Sequence, residues 1–232
     1  MGPFGTNRGF RPRYGPRRAR AKLAAALLLL VSLASPAAAE VRILALGDSL
    51  TAGYGLPEGE GFVPRLEAWL AANGAPDATV VNAGVSGDTS AGGLARIDWS
   101  LTDDVDAVIV ELGANDMLRG IDPAVTRGNL DGILAAIDAK GLPALLAGLP
   151  APPNYPPDYR EAYKSMFREL ADAYGAIYYR SFFAGMGEGR SITEIMRLMQ
   201  PDGLHPTAEG VQAIVDHIGP VVLELVAEAR QP

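Results

Sequence analysis

An α/β fold built on a five-stranded parallel sheet is what this sequence predicts, and three observations carry the prediction. Five short runs, at 41–46, 78–82, 107–112, 143–149 and 176–179, are apolar almost throughout. Such runs read as strands buried on both faces, because a half-exposed strand would alternate apolar with polar residues. Segments of helical spacing fall between them, and glycine-rich polar turns follow the first three runs. Alternation of this kind calls for helices on both faces of the sheet and right-handed crossovers, with ligands bound beyond the carboxyl ends of the strands.

The elements follow in order. The first strand runs into Gly47-Asp48-Ser49-Leu50, and a helix at 63–73 places Leu66, Trp69 and Leu70 on one side. The second strand opens onto Asn82-Ala83-Gly84-Val85-Ser86-Gly87-Asp88-Thr89-Ser90, and the third onto Gly113-Ala114-Asn115-Asp116. Glu111 lies inside the third apolar run, where nothing in the sequence accounts for a carboxylate. A helix at 123–140 carries Ile133, Leu134 and Ile137, and the fourth strand leads into the proline-rich stretch 150–157. After a helix at 158–174 and the fifth strand comes Pro201-Asp202-Gly203-Leu204-His205-Pro206. The last helix, from 207 to about 230, is expected to kink or break near Gly219-Pro220, since proline removes a helical hydrogen bond. No internal repeat of 20 to 50 residues is present.

The first 39 residues have a different character. Arg8, Arg11, Arg13, Arg17, Arg18, Arg20 and Lys22 form a basic, acid-free stretch ahead of the apolar run 23–33 and then Pro36-Ala37-Ala38-Ala39-Glu40. That is the layout of a secretory signal peptide, with cleavage expected before Glu40; the apolar run is short of the 20 or so residues that a membrane span needs. The alternative is an uncleaved anchor. Arg17-Arg18 is followed by residues that fit a twin-arginine signal poorly. The expected organisation is therefore a signal at 1–39 and one domain at 40–232, exported to the periplasm and with no stable membrane span after cleavage.

Removing 1–39 leaves 13 basic against 27 acidic residues, a formal charge of −14. A body so acidic repels polyanions, which argues against nucleic-acid binding and against docking on anionic membrane through a basic face. The 48% hydrophobic content argues against disorder. The chain has no cysteine and two histidines. Disulfides and a thiol nucleophile are thereby excluded, and a zinc site of the His or Cys type is nearly without ligands. No spacing resembles a calcium loop.

A serine at the mouth of a sheet does chemistry only if a base, an orienting acid and oxyanion donors are found elsewhere in the chain. By itself Ser49 reads equally as a turn residue or helix cap. The candidate base is His205, in a loop; His217 falls inside the last helix, where a histidine is more often a surface residue. Asp202, three residues before His205, can reach Nδ1 and leave Nε2 facing outward. Attack on an ester places charge on the carbonyl oxygen, and each preorganised donor there is worth roughly 100- to 1000-fold in rate. Asn115 offers a side-chain amide, Gly87 an unobstructed backbone N–H, and Ser49 its own N–H; individually, Gly87 and Asn115 also read as turn residues. Asp48 and Asp116 adjoin these candidates. They are expected to brace loops by accepting backbone N–H bonds, a carboxylate pair for glycoside cleavage being the alternative.

In order and spacing, Gly47-Asp48-Ser49-Leu50, the Gly87 block, Gly113-Ala114-Asn115-Asp116 and Asp202-Gly203-Leu204-His205-Pro206 resemble the four blocks of the SGNH (GDSL-type) hydrolases. The stretches from Ser86 to Arg96 and from Val110 to Gly120 are most similar to the bacterial thioesterase I, arylesterase and lysophospholipase L1 group. The resemblance implies a flavodoxin-like three-layer α/β/α sandwich. It further implies Ser49 as nucleophile, His205 as base and Asp202 as its orienter, with Ser49, Gly87 and Asn115 as the oxyanion hole and no cofactor. Its members cleave short- to medium-chain acyl esters, aryl esters, thioesters and lysophospholipids, so a small acyl ester or lysolipid is the implied substrate. The proline-rich stretch departs from the group. It follows the fourth strand on the crevice side, in a region that helps shape the acyl pocket of such enzymes, so acyl length does not transfer. A carbohydrate O-acetylesterase uses the same four blocks, and a module of another class, an inactive acyl- or lipid-binding domain, would need the catalytic residues to be idle. A phosphate or nucleotide receiver lacks the glycine-rich loop with its lysine.

Overall fold

The computed structural model describes residues 40–231, together with residues 1, 2 and 5. The segment 1–39, read above as an export signal, otherwise lies outside the described residues. Five parallel strands form one sheet: β1 (Val41–Gly47), β2 (Ala78–Gly84), β3 (Ala107–Glu111), β4 (Ala144–Ala147) and β5 (Ile177–Tyr179). Their spatial order is β2-β1-β3-β4-β5. The chain steps from β1 to one side for β2 and returns to the other for β3, so β1 and β3 flank the point where the winding reverses. Crevices for ligands form at such points in open α/β sheets.

Nine helices lie among the described residues: α1 (Ser49–Ala52), α2 (Phe62–Ala72), α3 (Ser90–Ser100), α4 (Ala114–Leu118), α5 (Pro123–Asp138), α6 (Pro157–Tyr174), α7 (Ala184–Gly187), α8 (Ile192–Arg197) and α9 (Ala208–Ala229). On one face α2 packs against α9, and on the other α5 packs between α3 and α6. The result is the three-layer sandwich. The middle layer is the five-stranded sheet, whose β1, β3 and β4 are buried almost throughout, and α9 turns Val211, Ile214, Val215, Ile218, Val222, Leu225 and Val226 onto it. That stripe recurs at helical spacing, which is what fastens the helix to the sheet.

The break that the sequence allows near Gly219-Pro220 is absent, and a further helix, α3, is present. Helix α9 runs unbroken through Pro220. Burial of Ile218 and Val222 on either side outweighs the one hydrogen bond the proline forfeits, and Gly219 lets Trp69 of α2 approach so closely that a Cβ would lie 2.5 Å from its ring. Helix α3 was not legible in the sequence, because Gly92 and Gly93 dilute its apolar spacing. Glycine is nonetheless needed there: a Cβ on Gly93 would stand 2.2 Å from Leu112, and one on Gly92 would run into the Asp88 carboxylate.

Candidate active site

Ser49 opens α1 just beyond β1, where Asp48 caps the helix by accepting the Leu50 N–H at 3.0 Å. His205 comes from the loop ahead of α9, and its Nε2 stands 2.8 Å from Ser49 Oγ. Its Nδ1 is 2.7 Å from Asp202 Oδ2, while Asp202 Oδ1 accepts the backbone N–H groups of Leu204 and His205 at 2.9 and 3.1 Å. The His205 side-chain hydrogen bond, followed by those two N–H groups, lowers the Asp202 pKa to about 2. An ionised Asp202 holds the proton of a neutral His205 on Nδ1 and leaves Nε2 free to accept from the serine hydroxyl.

The loop bearing this pair is tied down by Gln200. Its N–H donates to His205 O, and its side-chain amide donates to Pro206 O and Tyr54 O, each at 2.9 Å. The Tyr54 ring lies 4.7 Å from the His205 ring, centroid to centroid.

The three expected donors come from the ends of three adjacent strands and face the same space. Ser49 follows β1, Gly87 follows β2, and Asn115 lies in the first turn of α4 after β3. Among the described residues, the N–H groups of Ser49 and Gly87 have no acceptor. Gly87 has φ +83°, a conformation that glycine adopts without strain. Asn115 Nδ2 donates to Asp48 Oδ2 at 3.0 Å, and Arg119 Nη2 donates to Gly87 O at 2.6 Å, so the second and third donors are held to each other's neighbourhood. A cavity of about 400 Å³ opens here, with Ser49, Gly87, Asn115 and His205 in its wall beside the apolar Leu50, Met117, Leu118, Phe183 and Leu204.

The supporting acids behave as expected, and Glu111 acquires a role. Asp116, fully buried, accepts the Ser90 N–H at 2.8 Å, the Ser90 hydroxyl, and the Thr126 hydroxyl at 3.2 Å. Glu111 is fully buried at the end of β3, where its Oε2 accepts from Thr51 Oγ1 at 2.8 Å. Burial and the nearby Asp48 carboxylate push the Glu111 pKa up, and burial raises Asp48 to about 6. Asp48 accepts from Leu50 N–H and Asn115 Nδ2, which favour its charged form, so Glu111 is the member of the pair that stays protonated. A carboxyl with a raised folded pKa gives its full stabilisation below the ordinary carboxylate range and loses it as pH climbs through the folded value. Glu111→Gln, an isostere of the protonated acid, is therefore expected to fold and to flatten the decline in melting temperature as pH rises above the ordinary carboxylate range. An unchanged decline, measured by thermal melts across that range, would assign the pH dependence elsewhere.

Sequence reasoning missed Arg96. Nearly buried in α3, it reaches Asp88 at 2.8 Å, Ala83 O at 2.7 Å and Gly47 O at 2.9 Å, and so clamps the carboxyl ends of β1 and β2 beneath the site. In the sequence it stands only as the last residue of the stretch from Ser86 to Arg96, eight residues after Asp88, with no role assigned to it. The proline-rich stretch 150–157 does not line this cavity, but Tyr155 reaches it indirectly, its hydroxyl donating to Met117 O at 3.0 Å. His217 stands apart from the site, bridging Tyr179 at 2.7 Å and Glu188 at 3.0 Å.

A serine within reach of an acid-oriented imidazole, facing three converging N–H donors at the reversal point of a parallel sheet, defines a serine ester hydrolase. The chain belongs to the GDSL-like lipase/acylhydrolase family, whose model matches residues 45–213. It is 38% identical over 208 residues to the esterase TesA of Pseudomonas aeruginosa, covering 89% of this chain and all of that protein. It is 34% identical over 201 residues to thioesterase 1/protease 1/lysophospholipase L1 of Escherichia coli K12, covering 86% of this chain and 91% of that one. Among solved structures, AlinE4, an SGNH-hydrolase family esterase, superposes with a TM-score of 0.65 at 41% identity, over 80% of this chain and 96% of that chain.

Proposed function

We propose that this esterase hydrolyses short- to medium-chain acyl esters, aryl esters and lysophospholipids in the periplasm, through an acyl-enzyme on Ser49. The reading rests above all on the Asp202–His205–Ser49 hydrogen-bond chain ending in an apolar cavity. Ser49 Oγ attacks the acyl carbonyl as His205 Nε2 takes its proton, and the N–H groups of Ser49, Gly87 and the Asn115 side chain receive the oxyanion. Collapse of the tetrahedral intermediate breaks the bond to the leaving alcohol, which His205 protonates. Water, deprotonated by the same imidazole, then releases the acid and restores Ser49. The apolar wall of Met117, Leu118 and Phe183 favours an aliphatic or aryl acyl ester over an acetylated sugar.

Export rests on the basic, apolar and small-residue layout of 1–39. Charge then separates esters from thioesters. A body at −14 repels the phosphates of acyl-coenzyme A. Neutral p-nitrophenyl esters and lysophospholipid are expected to exceed acyl-coenzyme A of the same chain length in kcat/KM at low ionic strength, with the gap narrowing as salt is added. Faster acyl-coenzyme A hydrolysis at low salt would overturn the preference.

A further inference from the structure

Three tyrosines at a spacing of four residues form a ladder beside the oxyanion segment. Tyr155 and Tyr159 stack with ring centroids 5.2 Å apart, and Tyr159 and Tyr163 with centroids 5.4 Å apart and planes only 11° apart. Phe167 closes the row edge-on at 5.9 Å. A buried tyrosine hydroxyl needs an acceptor wherever it lies. Here all three hydroxyls choose carbonyls of one short stretch: Tyr155 donates to Met117 O and Tyr159 to Ile121 O, each at 3.0 Å, and Tyr163 donates to Gly113 O.

The last contact is the most consequential. Gly113 is the N-cap of α4, and its carbonyl also accepts the Met117 N–H that begins the helix. Its φ is +121°, and a Cβ there would meet Tyr163 Oη at 3.2 Å and Phe167 at 3.4 Å. The ladder therefore sets where α4 starts, and Asn115 is in its first turn. Arg119, in the same stretch, holds Gly87 O, which extends the support to a second donor. Burial raises the Tyr163 pKa, which keeps the donating proton in place.

We propose that Tyr155, Tyr159 and Tyr163 are positioning residues that fix the Asn115 amide at the height required by the oxyanion, acting through the carbonyls of segment 113–121. The proposal rests on Asn115 being an oxyanion donor, and a double-mutant cycle on the full chain separates the two claims. With p-nitrophenyl butyrate well below the melting temperature, Tyr163→Phe, which removes one hydroxyl and keeps the ring, is expected to lower kcat about tenfold with KM within about twofold. Asn115→Ala is expected to lower kcat by about 100- to 1000-fold. The double variant is expected to match Asn115→Ala alone, because a misplaced amide cannot be lost twice. Parental kcat in Tyr163→Phe, or the same tenfold loss in both backgrounds, overturns the proposal. Parental turnover in Asn115→Ala overturns the oxyanion assignment itself. Should Tyr163→Phe not fold, Tyr155→Phe and Tyr159→Phe at the half-exposed rungs carry the same cycle, each with a few-fold loss that disappears without the Asn115 amide.

Discussion

Ser49→Ala is expected to reduce turnover of p-nitrophenyl esters by about 10⁶-fold, the scale seen when the nucleophile of a serine hydrolase is removed. Nothing else among the described residues can replace its hydroxyl at 2.8 Å from His205 Nε2. The serine side chain makes no other hydrogen bond there, so the melting temperature should stay near that of the parent. Labelling with a fluorophosphonate checks the assignment directly. The parent should carry one adduct, at Ser49, and the variant none; an adduct on another residue, or activity within a hundredfold of the parent, would remove Ser49 from the centre of the site.

Asp202→Asn is expected to cost about 10⁴-fold in kcat. The amide oxygen can still accept the Leu204 and His205 N–H groups, so the loop should hold its shape. Its NH₂ group, however, would face Nδ1 and favour the tautomer whose proton sits on Nε2, aimed at the serine it should deprotonate. With its pKa lowered to about 2 by the His205 side chain and the loop N–H groups, Asp202 keeps its charge on mild acidification, so the orienting contact in the parent should persist there. Kinetics at saturating ester decide the matter; a loss of less than tenfold, with the fold intact, would show that the imidazole needs no orienting acid.

The catalytic candidates were legible because each lies where sequence position nearly determines spatial position. Ser49, Gly87 and Asn115 follow three strands of one parallel sheet, whose carboxyl ends must lie along one edge. Asp202 and His205 are separated by a turn too short to part them. What could not be read depends on partners distant in the chain. Glu111 makes sense only once Thr51, 60 residues earlier, is brought against it, and Arg96 only once Gly47 and Ala83 lie beside it. Helix α3 was hidden because its glycines serve packing against Leu112 and Asp88 rather than helix propensity. Pro220 misled for the converse reason: local chemistry weakens α9 there, while its neighbours are held in the core. The contact of the proline-rich stretch with Met117 O, through Tyr155, likewise joins residues 38 apart in the chain.

The site is mounted on two separate supports. The proposed nucleophile and oxyanion donors stand beyond the ends of β1, β2 and β3, fastened below by Arg96 and Glu111, whereas the proposed acid and base ride together on one loop that Gln200 ties to Tyr54. The Asp202–His205 pair reaches the serine hydroxyl through the contact between His205 Nε2 and Ser49 Oγ. Strain that shifts the loop against the sheet therefore interrupts proton transfer while leaving the anion receptor assembled. Binding of a charged tetrahedral mimic and turnover of an ester are, in this architecture, separable properties.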